Sequence, residues 1–246
     1  MKILGIIPSR YGSTRLPAKA LAKIGGKTIV HRVYLQATKA SLLTDVVVAT
    51  DHQAIYDEVT AFGGQAVMTS AQHRSGTDRC MEALQKVGGN YDFVINIQGD
   101  EPFIDPAQIN QLASILNQQV QLGTLVKKFT DHNQLLSANT AKVILNSKQQ
   151  AIYFSRAPIP YLRNHPQDQW LQHHTYYKHI GIYAYRTDVL AAVTKLPPSA
   201  LEEAEALEQL RWIENGYTIH VGLTDIETIG IDTPEDLEAA RQAKGH

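Results

Sequence analysis

Short apolar segments alternate with helical segments through the first half of this chain. The apolar segments span 2–7, 45–50, 65–69, 93–98 and 123–129, and their continuous hydrophobicity is typical of strands buried on both faces. The segments between them carry helix start and stop signals. Alternation of this kind, with right-handed crossovers, predicts an α/β fold built on a doubly wound, mostly parallel sheet.

Residues at the predicted helix ends support this assignment. Thr28 is a suitable cap for the helix that follows it, and Asp105 precedes Pro106 at a first helical position. Gly63 and Gly64 end another helical segment, as glycine commonly does at a helix C-terminus. These signals place helices between successive strands.

The second half of the chain is less regular and predicts a small β-rich extension. Residues 141–156 predict a hairpin that turns at Asn146–Ser147, and the polar segment 163–177 predicts a loop. The other predicted elements are strands at 178–186, 217–223 and 226–231 and helices at 201–216 and 233–243. We expect a single domain over residues 1–246, in which about 130–185 form a hairpin and loop extension that is a candidate dimerisation element.

The composition limits the functions that this domain can have. With 246 residues, 43% of them apolar, and a net charge of -1, the chain can bury a full core and lacks the basic surface of a general nucleic-acid binder. It contains no run of about 18 apolar residues, so we expect no membrane-spanning helix and no membrane partner. The one cysteine, Cys80, is typical of a reduced, cytoplasmic protein.

The loop that follows the first strand is strongly cationic. Its cations are Arg10, Arg15 and Lys19, and Ser13 and Thr14 add hydroxyl donors. Ligands of open α/β sheets bind beyond the carboxyl ends of the strands, where this loop is expected to lie. Because arginine and lysine pair with phosphate oxygens, the loop predicts a site for a nucleoside triphosphate; a solvated basic loop is the alternative.

Two aspartates each follow an apolar run and are candidate metal ligands. Asp100 follows the strand at 93–98 through Gly99, and Asp232 follows the segment 226–231. Mg²⁺ prefers one or two carboxylates together with substrate phosphates, so the pair predicts a magnesium site. The alternative for each aspartate is a turn that precedes a capped helix.

The segment QHRSGTDRC, residues 72–80, contains a glycine and runs into a predicted helix. Free amide groups at a helix N-terminus favour polar or anionic groups, so this segment is a candidate site for the base or ribose of a nucleotide. A simple capped start of a helix is the alternative.

Several segments carry a family resemblance when they are taken together and in order. They are IIPSRYGSTRLPAKAL, SGTDR, NIQGDEP, YFSRAPIP, KHIGIYAYR, LEQLRWIENG and GIDTPEDL, and they run over nearly the whole chain. In this order they resemble the 3-deoxy-manno-octulosonate (KDO) cytidylyltransferases, or CMP-KDO synthetases. The resemblance implies a nucleotide-diphospho-sugar transferase-like fold and a cytoplasmic, Mg²⁺-dependent homodimer. It also implies transfer of CMP from CTP to KDO, with release of pyrophosphate, for lipopolysaccharide synthesis.

The resemblance further implies roles for individual residues. The CTP-binding residues are Arg10, Arg15, Lys19, Ser75, Gly76 and Gln98, with the three cations on the triphosphate. The catalytic residues are Lys19, Asp100 and Asp232, and the two aspartates bind magnesium. The sugar-binding residues are Arg156, His179, Tyr183, Tyr185, Glu208 and Gln209.

The chain departs from the family pattern in the cationic loop. Family members usually have Pro-Gly-Lys-Pro-Leu where this chain has Pro17-Ala18-Lys19-Ala20-Leu21. Because alanine adopts positive φ angles poorly, we expect strain at Ala18 where the family has glycine.

Two other functions are compatible with these residues. A cytidylyltransferase for a related sugar acid, such as 8-amino-KDO or a sialic acid, would have the same loop and metal site with a different sugar pocket. A non-catalytic nucleotide-binding protein on the same fold is the second, although the paired carboxylates argue against it because binding alone needs no second metal.

Overall fold

A computed structural model of the chain describes residues 1–12, 15–227 and 229–243. The donors predicted at Ser13 and Thr14 lie outside the described residues. In the first half of the chain the elements are β1 (Ile3–Ser9), β2 (Lys23–Ile24), β3 (Lys27–Thr28), α1 (Ile29–Ala37), β4 (Asp45–Thr50), α2 (Gln53–Ala61), β5 (Ala66–Met68), α3 (Gly76–Val87), β6 (Phe93–Asn96) and α4 (Pro106–Ser114). In the second half they are β7 (Leu122–Lys128), α5 (His132–Leu136), β8 (Lys142–Leu145), β9 (Ala151–Ser155), α6 (Trp170–His173), β10 (Tyr177–Arg186), α7 (Thr187–Val193), α8 (Ala200–Glu205), α9 (Gln209–Glu214), β11 (Ile219–Leu223) and α10 (Pro234–Ala243).

The described residues form two compact units. The first comprises Met1–Ser114, Ala184–Thr194 and the described part of Thr228–His246. Its parallel sheet has the strand order β6-β1-β4-β5. The chain therefore runs outward from β1 through β4 and β5, and then returns to the other side of β1. This reversal creates a switch point between β1 and β6, where open α/β sheets bind ligands beyond the carboxyl ends of their strands.

Helix α1 shows how local sequence builds the first unit. Thr28 caps it as predicted, because its hydroxyl accepts a hydrogen bond from the backbone N–H of His31 at 3.3 Å. Ile29, Val33 and Ala37 recur at helical spacing and are fully buried. The helix thus covers the sheet with one apolar face, and the predicted parallel α/β arrangement is confirmed.

The second unit comprises Ile115–Tyr183 and Lys195–Glu227. In it β7 pairs in parallel with β11, whereas β8 pairs antiparallel with β9 and with the first residues of β10. The hairpin predicted at 141–156 is present as β8 and β9, and the N–H of Gln149 donates to the carbonyl of Asn146 at 3.1 Å in its turn. A small apolar cluster of Phe129, Leu135, Trp170 and Tyr176 packs elsewhere in this unit.

Three of the predicted elements differ in the structure. The predicted helix at 201–216 is divided into α8 and α9, because Ala206 adopts the left-handed conformation with φ 50° and ends α8. The predicted loop at 163–177 contains α6, whose Trp170 is buried in the apolar cluster. The described residues of 226–231 form no strand. Every helix in the described part of the chain falls short of the length and apolarity that crossing a bilayer requires.

Candidate active site

Strand β1 leads into the cationic loop at the switch point of the first unit. Ser9 ends β1 and is buried, and the next residue, Arg10, is exposed. The backbone N–H of Ala18 donates to the carbonyl of Tyr11 at 3.2 Å, and Lys19 then begins a short 3-10 turn. The hydrogen bond between Tyr11 and Ala18 therefore closes the loop. Arg10, a predicted phosphate ligand, lies just before the closed segment, and Lys19, another, lies just after it.

Lys19 lies between the two predicted metal ligands. Its Nζ is 2.8 Å from Oδ2 of Asp100 and 3.0 Å from Oδ1 of Asp232. Burial of Lys19 opposes its protonation, but the two carboxylates outweigh this effect and raise the pKa of the ammonium above its ordinary value. Arg15 reaches the same cluster, with Nη2 3.2 Å from Oδ2 of Asp232. Both aspartates thus face a common positive charge.

Gly99 allows the chain after β6 to approach the end of β1. A Cβ atom at this position would lie 2.4 Å from the carbonyl oxygen of Pro8 and 2.9 Å from Oγ of Ser9. Both distances are too short for any side chain, so only glycine permits this approach of the two strand ends. The next residue, Asp100, is thereby brought to the cationic loop.

Asp232 is placed by the backbone around it. The N–H of Ile231 donates to the carbonyl of Asp100 at 2.8 Å, which fixes the two aspartates on neighbouring segments. Asp236 then accepts from the N–H groups of Asp232 and Thr233 at 3.0 and 2.9 Å, and its own N–H donates to Oγ1 of Thr233 at 3.1 Å. These backbone hydrogen bonds lower the pKa of the Asp236 carboxyl. Our sequence reasoning missed Asp236, although its spacing from Thr233 is that of a capping box.

A cavity of about 430 Å³ opens between these segments, all of them in the first unit. Its volume is in the range of small-ligand sites. Its lining includes every residue predicted to bind CTP or metal, namely Arg10, Arg15, Lys19, Ser75, Gly76, Gln98, Asp100 and Asp232. It also includes His73, Arg74 and Arg79, which the sequence reasoning did not single out. Arg74 and Arg79 therefore add two guanidinium groups to the three cations that the loop provides.

The segment 72–80 is both a capped helix start and part of the cavity wall. Oγ of Ser75 caps α3 by accepting from the N–H of Asp78 at 3.1 Å. Gly76 lies close to β6, since a Cβ there would be 3.2 Å from Nδ2 of Asn96. The two interpretations of this segment, a capped helix start and a nucleotide-binding segment, are thus compatible, because the cap leaves the loop facing the cavity.

His73, on the cavity wall, is held by a network on α3. Its Nε2 contacts the carboxylate of Glu82, which also pairs with Lys86 and accepts the N–H of Ser70. Burial would raise the pKa of Glu82, but these partners, with Lys86 foremost, lower it to about 2. The carboxylate is therefore ionised at neutral pH and fixes the orientation of the imidazole.

The sugar-binding residues predicted in the second unit have strong local partners. Arg156 donates from Nε to the carbonyl of Glu205 at 2.7 Å, from Nη1 to that of Ala138 at 3.0 Å and from Nη2 to that of Ala206 at 3.2 Å. Its guanidinium therefore satisfies carbonyls at the break between α8 and α9. Arginine has five N–H donors, so two of its N–H groups are not used by these three bonds.

His179 is half-buried beside Tyr183 in the second unit. Its Nε2 is 3.0 Å from Oγ1 of Thr124, whose single hydrogen is directed to the carbonyl of Ile182 at 2.8 Å. Nε2 is therefore the donor, and burial lowers the pKa of this histidine to about 3. The ring of Tyr183 lies 5.2 Å from that of His179 and also meets Trp212 edge-on.

The remaining predicted sugar-binding residues, Glu208, Gln209 and Tyr185, lie in different local environments. Glu208 precedes α9, and Gln209 is the first residue of that helix. Nε2 of Gln209 is buried and has no hydrogen-bond partner among the described residues. Tyr185 belongs to the first unit, where its hydroxyl lies 3.2 Å from Oγ1 of Thr77.

Comparison with known proteins places the chain in a family. A family profile described as Cytidylyltransferase matches residues 4–226. The 3-deoxy-manno-octulosonate cytidylyltransferase of Bacteroides thetaiotaomicron is 57% identical, over 98% of this chain and 98% of that protein. The enzyme of the same name from Cytophaga hutchinsonii is 56% identical, over 96% of this chain and 95% of that one.

The chain belongs to the 3-deoxy-manno-octulosonate cytidylyltransferase family.

A solved structure agrees with this membership. CMP:2-keto-3-deoxy-manno-octonic acid synthetase in complex with CTP superposes with a TM-score of 0.91 and 41% sequence identity, covering 99% of this chain and 98% of that one. The chain is therefore a nucleotidyltransferase, and the predicted nucleotide-diphospho-sugar transferase-like fold is confirmed.

One departure of this cytidylyltransferase from the usual family sequence has a structural consequence. Ala18 has φ 53° and ψ 30°, which is the left-handed conformation. The usual family sequence has glycine at this position. This conformation costs an L-residue roughly 1–2 kcal/mol because Cβ crowds the backbone. The chain nevertheless keeps it, and Lys19 follows at once in position between the two carboxylates.

Proposed function

We propose that this chain transfers CMP from CTP to the anomeric 2-hydroxyl of KDO, giving CMP-KDO and pyrophosphate for lipopolysaccharide synthesis. The observation that carries the proposal is the meeting of Asp100 and Asp232 over Lys19 at the switch point of the parallel sheet. The names of the relatives and of the CTP complex support the choice of nucleotide and sugar acid.

The cationic side of the cavity is suited to a triphosphate. Arg10, Arg15 and Lys19 are proposed to bind the phosphates, and Ser75, Gly76 and Gln98 the cytidine. Their common position in one cavity of suitable volume supports these roles. Preorganised cations stabilise the charge that develops on the leaving pyrophosphate.

A magnesium ion fits the donor set of this site. The ammonium of Lys19 shows that Asp100 and Asp232 converge on one cation-sized position. No group of three or more His, Cys, Asp or Glu side chains in the described part of the chain is arranged to hold a metal, so phosphates and water would complete the coordination. Two carboxylates with substrate phosphates are the ligand set that Mg²⁺ prefers. When bound there, Mg²⁺ would act as a Lewis acid on the phosphate and lower the pKa of the sugar hydroxyl.

The reaction is proposed to be an in-line substitution at phosphorus. The 2-hydroxyl oxygen of KDO forms a bond to the α-phosphorus, the bond to the bridging oxygen of the β-phosphate breaks, and the hydroxyl proton is released to solvent. Asp100 and Asp232 would hold the Mg²⁺ that neutralises charge on the reacting phosphate, and Lys19 offsets charge on the departing pyrophosphate.

The sugar-acid pocket is the second part of the proposal. Arg156, His179, Tyr183, Tyr185, Glu208 and Gln209 are proposed to bind KDO. The buried Nε2 of Gln209 supports this role, because a native protein seldom leaves a buried donor without an acceptor unless a ligand supplies one. The neutral Nε2–H of His179 is held by Thr124, which suits a neutral wall of the pocket.

Four expectations stay predictions from the sequence. They are the homodimer, the role of about 130–185 in dimerisation, the single domain over 1–246 and the cytoplasmic location. A buried free cysteine, Cys80, supports the last of these.

Pyrophosphate release on mixing the chain with CTP, Mg²⁺ and KDO tests the proposed function. We expect release with CTP and almost none with UTP or ATP. Faster pyrophosphate release with 8-amino-KDO or a sialic acid than with KDO would show that this other acid is the substrate. Binding of CTP without pyrophosphate release from any of these acids would favour a non-catalytic nucleotide-binding protein.

A further inference from the structure

Tyr11 holds together the two ends of the cationic loop. Its carbonyl accepts the N–H of Ala18 at 3.2 Å, and its own N–H donates to Oδ1 of Asp51 at 2.9 Å. Arg10 immediately precedes Tyr11, and Lys19 immediately follows Ala18. Two of the three proposed phosphate ligands, Arg10 and Lys19, are therefore adjacent in sequence to a residue of this closure.

Asp51 is itself rigidly held. Its second oxygen, Oδ2, lies 3.0 Å from Nη2 of Arg79, and 10% of the Asp51 side chain and 4% of the Arg79 side chain are exposed. Nη1 of Arg79 donates to Oγ1 of Thr69 at 2.6 Å. Asp51 directly follows β4, whose last residue, Thr50, is in register with Ser9 at the end of β1. The carboxylate therefore connects the cationic loop to the sheet and to α3.

An aromatic contact adds to this connection. The ring of Tyr11 stacks on that of His52, with 3.7 Å between centroids and 14° between planes. Nδ1 of His52 accepts the N–H of Ala54 and so caps α2. The stacking partner of the loop is thus fixed by a helix cap.

We propose that Asp51 is a positioning residue for cytidylyl transfer, which holds Tyr11 so that Arg10 and Lys19 are presented together to the triphosphate. An ion pair with Arg79 alone would need only one carboxylate oxygen, and the other oxygen binds the loop. The inference rests on the proposed function, since it assumes that the loop binds the phosphates of CTP.

The test compares ligands with and without phosphates. Dissociation constants of CTP and of cytidine are measured for the wild-type chain and for the Asp51→Ala variant. Calorimetry is used for CTP and ligand-observed NMR for cytidine. A positioning role predicts that CTP binds about tenfold more weakly or worse, because a charge-assisted hydrogen bond that orders the cations is lost, while cytidine affinity stays within about twofold. In turnover, KM for CTP rises and KM for KDO does not.

Asp45→Ala is the matched control. Asp45 is at the other end of β4, and its Oδ2 accepts the hydroxyl of Tyr91 at 2.8 Å. This variant also loses a carboxylate hydrogen bond, but away from the loop, so both affinities should be unchanged. A loss of CTP affinity in Asp45→Ala equal to that in Asp51→Ala would overturn the proposal.

Asp51→Ala removes the carboxylate partner of the buried Arg79. If that variant does not fold, a milder variant provides the test. His52→Asn preserves a side chain suited to capping α2 and removes the stack on Tyr11. We expect weaker CTP binding, by about threefold, with cytidine unchanged. Equal losses for both ligands, or unchanged CTP affinity, would overturn the positioning role. A wild-type chain that does not bind CTP would instead contradict the proposed function.

Discussion

Asp100 and Asp232 share a single ammonium group, with carboxylate oxygens 2.8 and 3.0 Å from Nζ of Lys19. The two aspartates are far apart in sequence, and a backbone hydrogen bond from Ile231 to Asp100 brings them together. Two carboxylates this close repel each other unless a cation lies between them. The site is therefore built to hold positive charge, from Lys19 or from a metal ion.

Asp100→Asn should abolish most turnover. The substitution keeps the shape of the side chain and removes one of the two charges proposed to hold Mg²⁺. Loss of one preorganised group of this kind costs roughly 3–4 kcal/mol, or about 10²–10³ in rate, and loss of a metal ligand at least as much. Pyrophosphate release at saturating Mg²⁺, together with an unchanged melting temperature, checks this. Asp105→Asn, at a helix cap where asparagine serves equally well, should retain full activity.

Lys19→Met should make the chain more responsive to Mg²⁺. Without the ammonium, Asp100 loses its ion pair with Lys19, and Asp232 keeps its pair with the exposed Arg15. The two carboxylates then lack the charge between them, so the ligand-free protein is destabilised. Mg²⁺ then binds without competition and stabilises the folded state more than it stabilises the wild type. Melting temperatures over a Mg²⁺ titration measure this difference, with Lys23→Met, an exposed lysine, as control. An equal Mg²⁺ shift in both variants would show that Lys19 does not compete for the carboxylates.

Arg15→Ala should weaken CTP binding with little effect on folding. The side chain is 65% exposed and its partner, Asp232, is 45% exposed, and exposed ion pairs contribute only about 0–1 kcal/mol. We expect the free energy of unfolding to change by less than about 1 kcal/mol, whereas KM for CTP rises several-fold. Urea denaturation and initial rates measure the two effects. An unchanged CTP dependence would remove Arg15 from the phosphate site.

Ala18→Gly should stabilise the fold. Glycine relieves the left-handed strain of roughly 1–2 kcal/mol at this position, and its greater freedom in the unfolded chain returns about 0.5–1 kcal/mol of that gain. The net increase in unfolding free energy is therefore expected to be up to about 1 kcal/mol by urea denaturation. Gln149→Gly, at φ 56° in the hairpin turn, should give a similar gain. Loss of stability in Ala18→Gly would show that the loop is not strained there.

His179 should make folding stability depend on pH. Burial lowers its folded pKa to about 3, whereas the unfolded residue titrates near its ordinary value of 6.5. Between these values the unfolded state binds the extra proton, so stability is complete above about pH 6.5 and is lost as the pH falls toward 3. The slope from this group approaches about 1.4 kcal/mol per pH unit. Urea denaturation from pH 7 to 5 should show a smaller slope in His179→Gln, and equal slopes would mean that the folded imidazole protonates freely.

Local signals in the sequence were sufficient for the regular elements of the first unit. Thr28 before α1 and Pro106 at the start of α4 mark helix ends because capping and proline geometry involve only the next few residues. The same reasoning failed at Ala206, where no glycine marks the left-handed residue that divides α8 from α9. The carbonyls at that break are bound by Arg156, which is remote in sequence.

The sequence by itself determined the α/β class, the cationic loop after the first strand and the two aspartates at strand or segment ends. It also carried enough family motifs for the chemistry to be anticipated. Only the tertiary structure decided that Asp100 and Asp232 meet at Lys19, and that Asp51 reaches the loop through Tyr11. The physical reason is range: periodicity and capping act over a few residues, whereas these contacts depend on strand order, on the close approach at Gly99 and on hydrogen bonds between distant segments.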